Sequence, residues 1–153
     1  MRRVEREGDR WSGDVACPGG FAHGDEELLD TAIRETQEEL GITLRPDQLL
    51  GRLSLRPSRP WNRLSRFQIA PFVFGVAGDC EPGALEATEV VSARWVPLSV
   101  LAPGGARERF WWVWRVSPWL SLPFRVSRVW FEDYDVWGLT LAVLDELGRV
   151  RRG

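Results

Sequence analysis

"PGGFAHGDEELLDTAIRETQEELGI", residues 18–42, carries seven carboxylates, and its end, "RETQEELG", sets Glu35, Glu38 and Glu39 almost side by side. Like charges one turn apart repel, so a helix built for stability alone would not gather them. The stretch reads as a loop bending at "PGG", then a helix from about Asp25 to Leu40 with Gly41 as its stop signal. At about 100° per residue, Leu29, Ala32, Ile33, Thr36 and Leu40 share one arc, which is expected to face the core. Glu35, Glu38 and Glu39 lie on an arc displaced by roughly a third of a turn, a ridge at the border between core and solvent. An oxygen-only cluster of this kind suits a hard divalent cation, above all magnesium, which accepts waters and a substrate's phosphates as co-ligands. Bound metal would offset the repulsion, and a carbonyl of the "PGG" bend could reach the same ion, since glycine permits close approach. The competing reading is a solvated acidic face with no ligand.

Composition narrows what surrounds this stretch. The 153 residues, 44% hydrophobic and 27% charged, suit one α/β domain spanning 1–153. A net charge of -2 predicts no nucleic-acid binding. All 20 basic residues are arginine, which excludes a lysine Schiff base and leaves arginine as the cationic side chain for phosphate. The single histidine, His23, excludes a site needing two imidazoles and reads as a polar loop residue. Cys17 and Cys80 lack zinc spacing and read as reduced thiols of a cytoplasmic protein. "MRRVEREGDR" is too charged for a signal peptide, and no transmembrane segment is expected.

"RRV" at 2–4 reads as the end of a strand with no apolar run before it, so the first strand is expected to be shortened. Further strands are expected at 49–55, 67–76, 90–98 and 124–131, with Pro71 marking an edge or a bulge. Residues 137–149 read as an amphipathic helix with Leu141, Leu144 and Leu147 near one face. Strands interleaved with two helices indicate an α/β or α+β domain.

The spacing within 20–42 resembles the Nudix hydrolases, whose motif runs G, five residues, E, seven residues, R-E-U-x-E-E-x-G-U, with U usually aliphatic. Gly20, Glu26, Arg34, Glu35, Glu38, Glu39, Gly41 and Ile42 fit, and only Thr36 departs from the aliphatic preference. The resemblance implies a Nudix-type α/β/α sandwich with a mixed β-sheet, hydrolysing a nucleoside diphosphate linked to another moiety with Mg2+ or Mn2+. It implies Glu35, Glu38 and Glu39 as metal ligands, with the carbonyl of Gly19 or Gly20 completing the shell. Glu26 and Arg34 are expected to brace the loop and helix, as are Gly20 and Gly41 by their positions in the motif.

"WSGDVACPGG", 11–20, is similar to the segment that marks the coenzyme A pyrophosphatase branch, with Trp11 in place of its histidine and Cys17 in place of its phenylalanine. "APFVFGV", "ATEVVSARWVPLSVL" and "WGLT" at 137–140 also look like that branch. A substrate such as coenzyme A, cut to 3',5'-ADP and 4'-phosphopantetheine, is therefore expected. The alternatives are another nucleotide such as ADP-ribose, or a Nudix-fold module that binds nucleotide without turnover. Arg56, Arg59, Arg63 and Arg66, with Arg52, are expected either as a solvated loop or as a phosphate clamp, with Trp61 available to stack on adenine. Glu89 is a candidate general base by analogy with related enzymes, and Glu38 is its rival. The tryptophan-rich stretch 109–124 is expected in the core or at the interface of a homodimer, with an apolar wall for a pantetheine or acyl arm and membrane contact as alternatives.

Overall fold

Apolar residues at the end of the acidic helix and just beyond it build the core of the first part of the chain. Leu40, Ile42 and Leu44 pack with Met1 and Val90, and Ile33, Phe74, Val76 and Leu85 close around them. Each such buried side chain contributes roughly 1.5–3 kcal/mol. A computed structural model of the protein describes residues 1–9, 11–58, 67–100, 107–117 and 120–151. The chain divides into two compact units, Met1–Arg94 and Trp95–Gly153.

The first unit holds β1 (Arg2–Arg3), α1 (Leu28–Leu40), a 3-10 turn (Pro46–Gln48), β2 (Leu49–Arg52), β3 (Arg56–Pro57), β4 (Gln68–Ile69), β5 (Phe72–Phe74) and β6 (Val90–Ser92). Its ladders pair β1 with β6, β2 with β5 and β3 with β4, all antiparallel. The mixture of helix and strand agrees with the α/β class, and β1 is as short as its sequence implies.

Several strands are shorter than their patterning suggests. Residues 67–76 form two strands with different partners, because proline offers no N–H to a continuous ladder. Pro71 sits between them, and its carbonyl accepts the Leu53 N–H at 2.9 Å. That bond lies beyond the end of β2, which stops at Arg52 instead of running to 55. The strand expected at 90–98 ends at Ser92, and the chain turns at Pro97, whose carbonyl accepts the Val100 N–H at 3.0 Å.

Helix α1 begins three residues later than its charge pattern suggests. Asp25 and Glu26 belong to the preceding turn, where the Glu26 N–H donates to His23 O at 3.0 Å. Thr36 takes an aliphatic position because its hydroxyl donates to Ala32 O at 2.7 Å, which satisfies the polar group inside the helix and leaves the methyl for packing.

The second unit holds β7 (Arg107–Ser117), β8 (Leu120–Phe131), β9 (Tyr134–Trp137) and α2 (Gly138–Val150). β7 and β8 form an antiparallel hairpin from Arg107↔Val129 to Ser117↔Leu120, and β9 extends the sheet from Arg128↔Trp137 to Phe131↔Tyr134. The tryptophan-rich stretch thus supplies two long strands, the first of which the sequence reading did not anticipate. On one face Val129, Tyr134 and Val136 are buried, as is Leu141 of α2, and the Arg107 guanidinium donates to both Asp145 oxygens at 3.0 and 2.5 Å. On the other, Trp112 lies 4.6 Å from Trp137 and the Arg128 guanidinium stands 3.8 Å over Phe110.

Gly41 ends α1 in the left-handed conformation (φ 65°), and a Cβ there would meet Ala84 N at 3.0 Å. Gly41→Ala should therefore destabilise the fold by about 1–2 kcal/mol. Urea titration checks this; an unchanged midpoint would show that the helix exit tolerates a side chain.

Candidate active site

Arg34 organises the acidic helix. Its guanidinium meets Glu26 in two parallel bonds, Nε to Oε1 at 2.9 Å and Nη2 to Oε2 at 3.0 Å. Its Nη1 donates to Glu35 Oε1 at 2.8 Å and to Glu38 Oε2 at 2.9 Å. Its Nη2 also reaches Phe21 O at 3.2 Å, which ties the loop to the helix. Glu26 in turn accepts from His23 N–H at 3.1 Å and Thr31 Oγ1 at 2.9 Å. The Arg34 bonds, and after them the His23 amide, hold the Glu26 carboxyl down at about 2.

The three ridge carboxylates differ sharply in environment. The Glu38 side chain is 57% exposed and that of Glu35 is 12% exposed. Glu39 is buried, at 4%, so it lies in the core side of the helix and not at its border as the helical arc implied. Its Oε2 accepts the Gly19 N–H at 2.8 Å. Burial pushes the Glu39 carboxyl up to about 7, against the Gly19 bond, and the nearby Glu35 and Glu89 charges add to the rise. Gly20 lies directly against Glu35: a Cβ on it would sit 2.3 Å from Glu35 Oε1. A side chain at Gly20 would therefore displace the Glu35 carboxylate, since Gly20 itself has no left-handed φ and the conflict is one of space alone.

Glu89 faces this group. Together with Arg3, Val4, Arg6 and Glu39 it lines a small cleft. The Glu89 carbonyl accepts the Val4 N–H at 2.9 Å, and Arg6 Nη2 stands 3.6 Å from Glu89 Oε1 while donating to Thr88 O. Arg3 and Arg6 were not singled out by the sequence pattern, because they belong to no motif and reach the cleft through the pairing of β1 with β6. Arg56 lies on β3 opposite Ile69, and Arg52 on β2 opposite Phe72. Arg59, Trp61, Arg63 and Arg66 lie outside the described residues.

The donors suit a hard divalent ion in kind. They are all oxygens, and Glu35 and Glu38 already converge on one cationic nitrogen of Arg34. Among the described residues no three acidic, histidine or cysteine side chains form a closed metal cage: Glu35 and Glu38 meet at Arg34, and Glu39 turns to the Gly19 amide.

The protein-family model of the NUDIX domain matches residues 1–120. The chain belongs to the Nudix family. It is 31% identical over 139 residues to an uncharacterised Nudix hydrolase NudL of Yersinia enterocolitica, covering 90% of this chain and 66% of that protein. The NudL of Pectobacterium atrosepticum, also uncharacterised, is 32% identical over 148 residues, covering 89% of this chain and 66% of that protein. An uncharacterised protein of Schizosaccharomyces pombe is 37% identical over 105 residues, 66% of this chain and 32% of that protein. The chain thus spans about a third of the length of the yeast relative and just under two thirds of the bacterial ones. Among the described residues no helix is long and apolar enough to cross a membrane.

The Glu26 pairing predicts an acid-sensitive contribution to this Nudix fold. Its carboxyl sits at about 2 in the folded chain against an ordinary 4.5, so the stabilisation is complete above pH 4.5 and is lost as pH falls towards 2. Glu26→Gln should be less stable than the parent at pH 7, and the gap in urea midpoint should close between pH 4.5 and 2. A gap that stays constant down to pH 2 would contradict the ion pair.

Proposed function

We propose that this chain is a metal-dependent pyrophosphohydrolase that cleaves a phosphoanhydride bond in a nucleoside diphosphate linked to another moiety. The observation that carries the reading is the burial of Glu39 within hydrogen-bond reach of Gly19, next to a second carboxylate seated on Gly20. Burying a carboxylate costs stability unless a partner compensates it, and one amide is modest compensation. A cation-binding role accounts for that cost. Glu35, Glu38, Glu39 and the Gly20 carbonyl would hold Mg2+ or Mn2+, in keeping with the family's general use of divalent ions. The ion supplies screening of the diphosphate charge and a water of lowered pKa.

Glu89 is the proposed general base, taking the proton of the attacking water at a carboxylate oxygen, with Glu38 as the rival. Arg6 orients Glu89 and the Thr88 carbonyl beside it. Arg56, Arg59, Arg63 and Arg66 are proposed to grip the substrate's phosphates. Residues 1–153 are read as one Nudix hydrolase domain acting on a small nucleotide in the cytoplasm, with homodimerisation part of the same proposal.

Within the class, coenzyme A or a derivative is the favoured substrate, supported by Gly13 and Pro18-Gly19-Gly20 of the 11–20 segment. Purified protein with Mg2+ or Mn2+ should convert coenzyme A to 3',5'-ADP and 4'-phosphopantetheine, identified by product mass. Activity confined to ADP-ribose or another nucleotide would remove the coenzyme A assignment and keep the class. Nucleotide binding with no turnover of any diphosphate would favour a non-catalytic module.

Glu39→Gln should abolish most turnover while the metal-free protein stays folded, because it removes a ligand charge from a buried position. Circular dichroism and the same product assay check both halves; full activity would exclude Glu39 as a ligand. Glu89→Gln should lower kcat by about 10²–10⁴-fold with metal affinity nearly unchanged. A loss below about threefold would return the base to Glu38.

A further inference from the structure

Arg6 enters the cleft beside Glu89 with most of its donors unspent. Its Nη2 donates to the Thr88 carbonyl, and among the described residues nothing meets its Nε or Nη1. The neighbouring Arg3 differs, since its Nη2 is committed to Asp9 Oδ2 at 2.6 Å. Both arginines line the same cleft as Glu39. The Arg6 backbone is fixed as well: its N–H donates to Ser12 Oγ at 2.7 Å and its carbonyl accepts the Asp9 N–H at 3.3 Å. Opposite it, the Thr88 N–H and hydroxyl donate to Glu86 Oε1 at 3.1 and 2.8 Å, and the Glu86 N–H donates to Glu39 O at 3.3 Å. A chain of bonds therefore runs from the end of α1 through 86–88 to the Arg6 guanidinium. An exposed arginine is ordinarily a solvated charge. This one is held by a neutral carbonyl, and Glu89 Oε1 at 3.6 Å lies beyond hydrogen-bond distance, so no carboxylate is bonded to it.

We propose that Arg6 is a substrate-binding residue whose Nε and Nη1 groups donate to oxygens of the substrate's diphosphate. The inference rests on the hydrolase reading above and adds a phosphate contact outside the arginines of 52–66. Charge-assisted bonds from a guanidinium to phosphate are among the stronger ones available to a protein. The Arg6 side chain is 47% exposed, so an anion reaches it from solvent. Because the Thr88 carbonyl already orients the guanidinium, little side-chain freedom is lost when the phosphate arrives. Glu39 and Glu89 in the same cleft repel an anion, so the contact forms only with a divalent cation present to offset them. Two roles are thereby separated: Arg6 touches the diphosphate, and Glu89 handles the proton of the water. An arginine that served only to orient Glu89 would slow turnover when lost and leave diphosphate affinity intact.

The test is calorimetric titration of the full chain, in Mg2+, with methylenediphosphonate, an uncleavable diphosphate mimic. The parent should bind it, and Arg6→Ala should bind it about tenfold or more weakly, the loss of hydrogen bonds to a charged group. Arg6→Gln, which keeps a donor for the Thr88 carbonyl but no charge, should show the same loss, and Arg6→Lys should recover part of it. Glu89→Gln should not weaken binding, since it removes a repelling charge. Unchanged affinity in Arg6→Ala and Arg6→Gln, folded by circular dichroism, overturns the contact. So does a parent that binds no diphosphonate, or a Glu89→Gln variant that weakens binding as much as Arg6→Ala, which would leave Arg6 acting only through Glu89. The readout needs no turnover, so the two readings fail separately. A protein that binds the diphosphonate through Arg6 but cleaves no diphosphate loses the hydrolase reading alone. One that cleaves diphosphates while Arg6→Ala keeps the parent's affinity loses the Arg6 contact alone.

Discussion

The guanidinium of Arg34 is the constraint on which the site depends. It is a planar fork with a fixed set of donors, and it spends them on Glu26, Glu35, Glu38 and the Phe21 carbonyl at once. The loop before α1 therefore cannot move independently of the helix. A lysine in its place would bring one point charge and could not present two parallel bonds to Glu26. The turn at His23–Glu26 and the late start of α1 follow from the same tie, because Glu26 is drawn back to the loop and is lost to the helix.

Once that tie is made, glycine decides how closely the loop approaches. Gly20 has no room for a Cβ beside the Glu35 carboxylate, and Gly19 turns its N–H to Glu39 in a backbone conformation (φ 152°) that a side chain would disfavour. Gly41 does the corresponding work at the other end of the helix, where the Gly83 N–H caps Leu40 O at 2.8 Å. Helix and flanking loops are thus tied at both ends, by the Gly19 amide on Glu39 at the start and by backbone contacts at Gly41 at the exit. The helix between them can carry a buried carboxylate whose elevated proton affinity would otherwise oppose folding at neutral pH.

The second unit obeys different physics. Its long hairpin is held by cross-strand aromatic and arginine contacts, with Trp112 on Trp137 and Arg128 over Phe110. The other face meets α2 through small buried valines, Tyr134 and the Arg107–Asp145 pair. The tryptophans of this hairpin are elements of a sheet, whose alternation sends neighbouring residues to opposite faces, with Trp111 exposed and Trp112 against Trp137.

The sequence by itself determined the acidic helix, its stop at Gly41 and the family, because these rest on local spacing: glycines where the chain turns, carboxylates at one-turn intervals and an arginine one turn before Glu38. The unequal carboxylates were not legible. A helical arc places Glu35, Glu38 and Glu39 alike, and only the folded chain, which brings the Gly19 amide onto the Glu39 carboxylate, buries Glu39 and leaves Glu38 in water. The strand ends at Arg52 and Ser92 were equally hidden, because a ladder stops where its partner does. Arg6 beside Glu89 belongs to the same class: these residues are far apart in the chain, and no local pattern records which distant segment the folded backbone brings to each.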